Sequence, residues 1–320
     1  MNLTSKSRVL GLLGVAAFAA LGVFVKPMAG QSAAETDTNR FLKGAIDMHF
    51  HMDPPAPNAR GTQADIAQVR IAKGRGLRGL VLKHHNETTG ALAYHLRLEI
   101  PNFELFGGTV MNLSNGGIDP GMVEFMATQI KGNPGRVVWM PAGDTETEIK
   151  NSNRPTRPFV PVVGKDGQLL PGVKDIVSIV AKNNLILASG HLLAKEALLL
   201  FTEAKKAGVK HMIATHAMDL TGKMTIPQMK EAAALGAIVE FDFRNIFDDN
   251  TVRADAIRAV GPEHCLISEF WTKNNPREYG APEGTFAFIS KMRQKGFTDR
   301  ELDMMVKDNP AKLLDLTPNR

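Results

Sequence analysis

Eight short β-rich runs recur along the chain, each ending in polar residues and each followed by a helix-like stretch. They cover 45–51, 79–85, 103–112, 137–141, 185–191, 211–216, 237–243 and 265–270. Amphipathic segments lie between them, such as Gln63–Lys73, Pro120–Ile130, Leu192–Lys206 and Ile226–Leu235. Strands that alternate with helices imply parallel βαβ units. Eight such units predict an α/β fold, a (β/α)8 TIM barrel. An open doubly wound sheet is the alternative, but no glycine-rich phosphate loop follows the first strand. The 320 residues suffice for one barrel of about 250. Hydrophobic residues at 43% and charged residues at 22% argue against a disordered chain, a coiled coil or a multi-span membrane protein. The single cysteine, Cys265, excludes an internal disulfide framework and a Cys-rich zinc site.

The N-terminus reads as an address. Lys6 and Arg8 precede an uncharged apolar run, Val9–Val25, and small residues follow at Ala29, Gly30, Ser32, Ala33 and Ala34. This order predicts a secretory signal peptide over 1–34, cleaved between Ala29 and Ala34. The apolar run is slightly short for a spanning helix, so a retained anchor is the lesser reading. The mature chain is then a single domain over 35–320, periplasmic or secreted, with no stable membrane insertion after cleavage. Lys6, Arg8 and Lys26 carry three of the net +5 charges, which leaves no case for a nucleic-acid partner. The expected partner is a small-molecule substrate; a homo-oligomer and a lone barrel are both open.

The interval between Pro141 and Leu185 is too long for one crossover. Extended runs on either side of Gly164-Lys-Asp-Gly167 predict a β-hairpin within an insertion at about 145–175. It follows the fourth strand and is expected at the C-terminal rim, where it covers the site or is ornament.

Histidines cluster at strand ends. Asp47-Met-His49-Phe-His51 ends the first strand, and alternation puts His49 and His51 on one face. His191 ends the fifth run, His216 the sixth, and Glu269 the eighth. Nitrogen and carboxylate ligands of this kind suit zinc, and also manganese, iron or nickel. One histidine in a strand is more often a packing residue than a ligand. Four histidines and a carboxylate at C-terminal strand ends are harder to explain by packing, because buried polar groups need partners. His211 and His264 start strands, and His95 lies in a helix-like stretch, so these three read as structural.

The pattern resembles the amidohydrolase superfamily over residues 45–316: HxH after the first strand, histidines after the fifth and sixth, and an acid after the eighth. The tail Thr298-Asp-Arg-Glu-Leu…Asn309-Pro-Ala-Lys-Leu-Leu314 resembles the closing helix of many members. More narrowly, the chain resembles an amidohydrolase-like branch with Lys-x-His after strand two. The resemblance implies a metal-dependent hydrolase holding one or two divalent ions, zinc first. Its ligands would be His49, His51, His191, His216 and Glu269. Glu269 would also be the general base, where the superfamily usually has Asp; Asp242 is a fallback acid. No bridging residue follows the fourth strand. Lys83 shares strand parity with His85, and both can face the interior. Lys83 would bridge two ions as a carbamate, or hold a substrate carboxylate or oxyanion as a cation, or snorkel to the rim. His85 would serve a second ion or the substrate.

The implied chemistry is attack by an activated water, its pKa lowered from ~15.7 towards ~7. Glu269 would move the proton and His216 or Lys83 would steady the oxyanion. Ester, lactone and amide bonds are all within reach. Asn86, Asn112, Trp139 and Trp271 would shape the pocket. Asn112–Gly117, glycine-rich, leads into a helix and reads as a plain turn in preference to an anion site at that helix N-terminus. Two other functions compete. One is non-oxidative decarboxylation, with Lys83 or Arg244 holding the acid. The other is a non-catalytic periplasmic barrel that binds metal or ligand.

Overall fold

The computed structural model describes residues 40–52, 66–218, 223–241, 251–268 and 283–317. The eight strands are β1 (Ile46–His51), β2 (Gly79–Lys83), β3 (Glu104–Val110), β4 (Gly135–Trp139), β5 (Ile186–Ala188), β6 (His211–Ala214), β7 (Ala237–Phe241) and β8 (Cys265–Ile267). They neighbour one another in chain order, and each described pairing is parallel. The result is a nearly closed (β/α)8 TIM barrel.

The helices are α1 (Ile66–Gly74), α2 (Gly90–Glu99), α3 (Pro120–Thr128), α4 (Glu146–Lys150), α5 (Pro171–Lys182), α6 (Ala194–Lys206), α7 (Ile226–Leu235), α8 (Thr251–Val260), α9 (Glu283–Gln294), α10 (Asp299–Asp303) and α11 (Asn309–Leu313). A π-helical turn, Met304–Asp308, joins the last two. Among the described residues no helix is long and apolar enough to cross a membrane. Sequence chemistry sets several starts. Proline at the first turn and a Thr225 cap that accepts from Gln228 N open α7. Asp119 caps α3 by accepting from Met122 N at 3.1 Å, so the loop after Asn112 ends in its own carboxylate rather than an open anion site.

Alternation along the strands divides the core in two. Leu80, Leu82, Val138, Met140 and Leu187 face outward and pack under the helices. Val81, Phe106, Val137, Trp139, Ile186, Ile213, Ile238 and Leu266 fill the barrel interior. The C-terminal residues Ala311, Leu313 and Leu314 belong to that interior cluster. They close its floor. Just beyond them, Asp315 accepts hydrogen bonds from Arg136 (2.8 Å) and Asn184 (2.7 Å) and pairs with His211 (3.1 Å), all near strand starts.

The long β4–α5 connection holds α4 and a single antiparallel bridge, Val163 to Leu169, around the Lys165-Asp-Gly turn. Two extended runs are expected there from sequence. The observed pairing is shorter, and a helical turn precedes it. The signal segment 1–34 lies outside the described residues.

Candidate metal centre

Strand β1 delivers two imidazoles to the barrel mouth. Its pairing with β2 shifts between Asp47 and Phe50, an irregularity that interrupts strict alternation. Ile46 and Met48 join the interior cluster, yet His49 and His51 still come together, with ring centroids 4.8 Å apart. The Asp47 carboxylate accepts from the His49 backbone N–H at 3.0 Å and braces the bend.

The predicted histidines converge. His49 and His216 lie 4.5 Å apart by ring centroid, His51 and His85 5.0 Å, His191 and His216 5.6 Å, and His85 and His191 6.4 Å. His49, His51, His191 and His216 are all buried. His216, just past the end of β6, has φ +46°. A buried non-glycine residue in the left-handed region carries strain, and such residues concentrate at functional sites.

Lys83 is fully buried at the end of β2, and its Nζ lies 2.7 Å from His49 Nε2. The same nitrogen sits 5.3 Å from the Trp139 ring centroid. Trp139, at the end of β4, thus walls the site; its ring is 6.0 Å from that of His49.

The acid at the centre is one that sequence reading missed. Glu240 on β7 is 1% exposed, and both its oxygens lie against His49 Nδ1, at 3.1 and 3.2 Å. Ser268 Oγ donates to Oε1 at 2.7 Å, and the His216 backbone N–H donates to Oε2 at 3.4 Å. An ionised Glu240 only accepts, and against it His49 Nδ1 carries the proton and Nε2 presents its lone pair to Lys83 Nζ. The hydrogen bonds run Lys83–His49–Glu240–Ser268 through the barrel without meeting solvent. A detectable signal existed: one acid inside the apolar run Ala237-Ile-Val-Glu-Phe241, with interior parity to Ile238. A second acid, Glu148 on α4, was also missed; its Oε1 lies 3.0 Å from His191 Nδ1. Glu269, Asp242, Arg244 and Trp271 lie outside the described residues.

His49, His216 and Glu240 each offer a ligand atom, and the three atoms lie within 4.8 Å of one another, all buried. Two imidazoles and a carboxylate form a donor set that suits a divalent ion. Of the remaining expected residues, His95 lies in α2, His264 sits exposed before β8, and His211 lies at the barrel floor. Asn112 is structural: it donates to His85 O (3.0 Å) and accepts from Ala142 N (2.9 Å).

Solved structures share this architecture. An amidohydrolase from Pseudomonas aeruginosa matches at 11% identity and TM-score 0.54, over 86% of this chain and 97% of that one. A 2,6-dihydroxybenzoate decarboxylase from Rhizobium matches at 12% identity and TM-score 0.54, over 85% and 99%. The probable dipeptidase PvdM from Pseudomonas aeruginosa matches at 10% identity and TM-score 0.57, over 87% and 96%. The fold is therefore the (β/α)8 barrel that these structures share, here with a histidine-lined mouth. Within that class, a family model matches residues 44–240, and the chain belongs to that family, a family of unknown function (DUF6282). No curated protein matches it.

Proposed function

We propose that this protein is a metal-dependent hydrolase acting on an ester, lactone, amide or related bond of a small molecule. The observation that carries the reading is the buried His49–His216–Glu240 donor set at the C-terminal ends of β1, β6 and β7. In the barrel fold, residues at that face do the chemistry. His51, His85 and His191 stand around the set within ring-contact distances and extend the candidate ligands. Zinc is the expected ion, one or two per chain.

A divalent ion there supplies Lewis-acid polarisation and a water of lowered pKa. The chain's own groups do the rest. Glu240 fixes the His49 ring by accepting from Nδ1. Lys83 brings a desolvated positive charge to the mouth, suited to an oxyanion or a substrate carboxylate. Trp139 keeps water from one side. Glu269, next to Ser268 in sequence, is proposed as the proton-moving base and a further ligand.

Lys83 also favours a second reading, non-oxidative decarboxylation, since a buried cation can grip the acid that is lost. The basic-then-apolar start of the chain supports a site of action outside the cytoplasm. Elemental analysis of the purified chain beside H49A/H51A is the decisive test. About one or two equivalents of metal, lost in the double variant, justify a screen of esters, lactones and amides. Carbon dioxide release without water consumption would shift the assignment to decarboxylation. No uptake of metal after reloading would overturn the hydrolase reading.

A further inference from the structure

We infer that Glu148 is a positioning residue for His191, which makes the long β4–α5 connection part of the metal centre. The inference rests on the metal reading above and adds a residue and a segment to it.

His191 is tied twice to this connection. Its backbone N–H donates to Pro141 O at 2.9 Å, and its Nδ1 faces Glu148 Oε1 at 3.0 Å. The first tie requires glycine beside it. Gly190 sits at φ +59°, and a Cβ there would lie 2.2 Å from Met140 O and 2.6 Å from Pro141 O. The second tie sets the tautomer. A carboxylate at Nδ1 holds the proton on that nitrogen, so Nε2 carries the lone pair. A carboxylate behind an imidazole fixes ring orientation and raises its basicity as a ligand.

Glu148 is itself held in place. Thr145 caps α4, its Oγ1 accepting from Glu148 N at 3.2 Å. Asp144 anchors the preceding turn: its Oδ2 accepts from Leu113 N at 2.8 Å, and its backbone O accepts from Val160 N at 2.8 Å. Arg157 pairs with the same Asp144 side chain and donates to Gly143 O at 3.0 Å. The carboxylate therefore stands on a braced turn, not on a loose loop. The bridge at Val163–Leu169 lies further along the same connection.

The test is metal affinity of the full chain, measured with Zn2+ by chelator competition and with Co2+ by its visible spectrum. E148A is expected to weaken Zn2+ binding about 10–100-fold and to alter the Co2+ spectrum. E148Q keeps an oxygen acceptor for Nδ1–H and is expected to recover most of the affinity. If E148A fails to fold, E148L reads the same loss with the volume kept. Zn2+ affinity in E148A or E148L equal to wild type would overturn the inference. A second readout is independent of metal: imidazole 15N shifts in the metal-free chain should report His191 locked with its proton on Nδ1, and mixed tautomers in E148A. A wild type that takes up no Zn2+ sinks the metal reading, while the tautomer measurement still decides whether Glu148 positions His191.

Discussion

Lys83 Nζ lies 2.7 Å from His49 Nε2, and neither side chain has any exposed surface. A buried polar nitrogen needs partners, and here His49 Nε2 and the Trp139 face are two of them. The lone pair it engages is one that a metal could also use. Lys83 therefore governs how the site presents His49.

One consequence concerns stoichiometry. K83M retains the length of the stem and removes the nitrogen. If Lys83 acts as a cation, K83M keeps the metal equivalents of the wild type, measured by elemental analysis. A fall from two equivalents to one would identify Lys83 as a carbamate bridge instead.

Glu240 accepts from three donors in a buried setting. E240A strips all three, and a buried polar group left unmatched costs about 1–3 kcal/mol. E240A is expected to lose at least that much stability by denaturant titration and to lose its metal. E240Q should fold better than E240A yet bind metal more weakly than wild type. Full metal content in E240A would remove Glu240 from the centre.

Gly190 admits no side chain without moving the end of β4. G190A is expected to destabilise by more than about 1 kcal/mol. It should also perturb the tie between His191 and Pro141, seen as weaker Zn2+ binding. An unchanged thermal midpoint and affinity would contradict this.

At the barrel floor, burial pushes the His211 imidazole below its ordinary 6.5; Asp315 opposes the shift, and Arg136 and Lys210 add to it. The unfolded chain then binds the proton more readily than the folded one. Stability contributed by this residue is present above pH 6.5 and is lost as pH falls through the lower folded value. Thermal midpoints taken across acidic pH should fall less steeply in H211N than in wild type. Parallel curves would show that His211 carries no such linkage.

The strands were legible because each apolar run ends abruptly in a polar residue, as in Leu82-Lys83-His84 and Ala214-Thr-His216. Strand ends at a barrel mouth converge, so spacing alone brought His49, His51, His191 and His216 together. The irregularity in β1 was not legible, since it arises from pairing with β2 rather than from local pattern. Glu240 was hidden by its position inside a run: alternation read it as part of a strand, and its partners come from other strands, His216 after β6, Ser268 after β8 and His49 on β1. Glu148 was hidden differently. It lies 43 residues from His191 in a polar stretch where acids ordinarily face water, and the braces at Asp144 and Thr145 set its direction.

The floor of the barrel has a consequence for biogenesis. Ala311, Leu313 and Leu314 plug the interior, and Asn309 Nδ2 donates to the carbonyls of Pro262 (2.9 Å) and Cys265 (2.6 Å) beside β8. All eight strands are made before these residues are. Strands alone, without residues 309–314, have partners to pair with but no stopper for the interior. Closure of the floor therefore waits on residues that follow all eight strands in sequence. Truncation before Ala311 is thus expected to cost the whole barrel its cooperativity, not only its last turns.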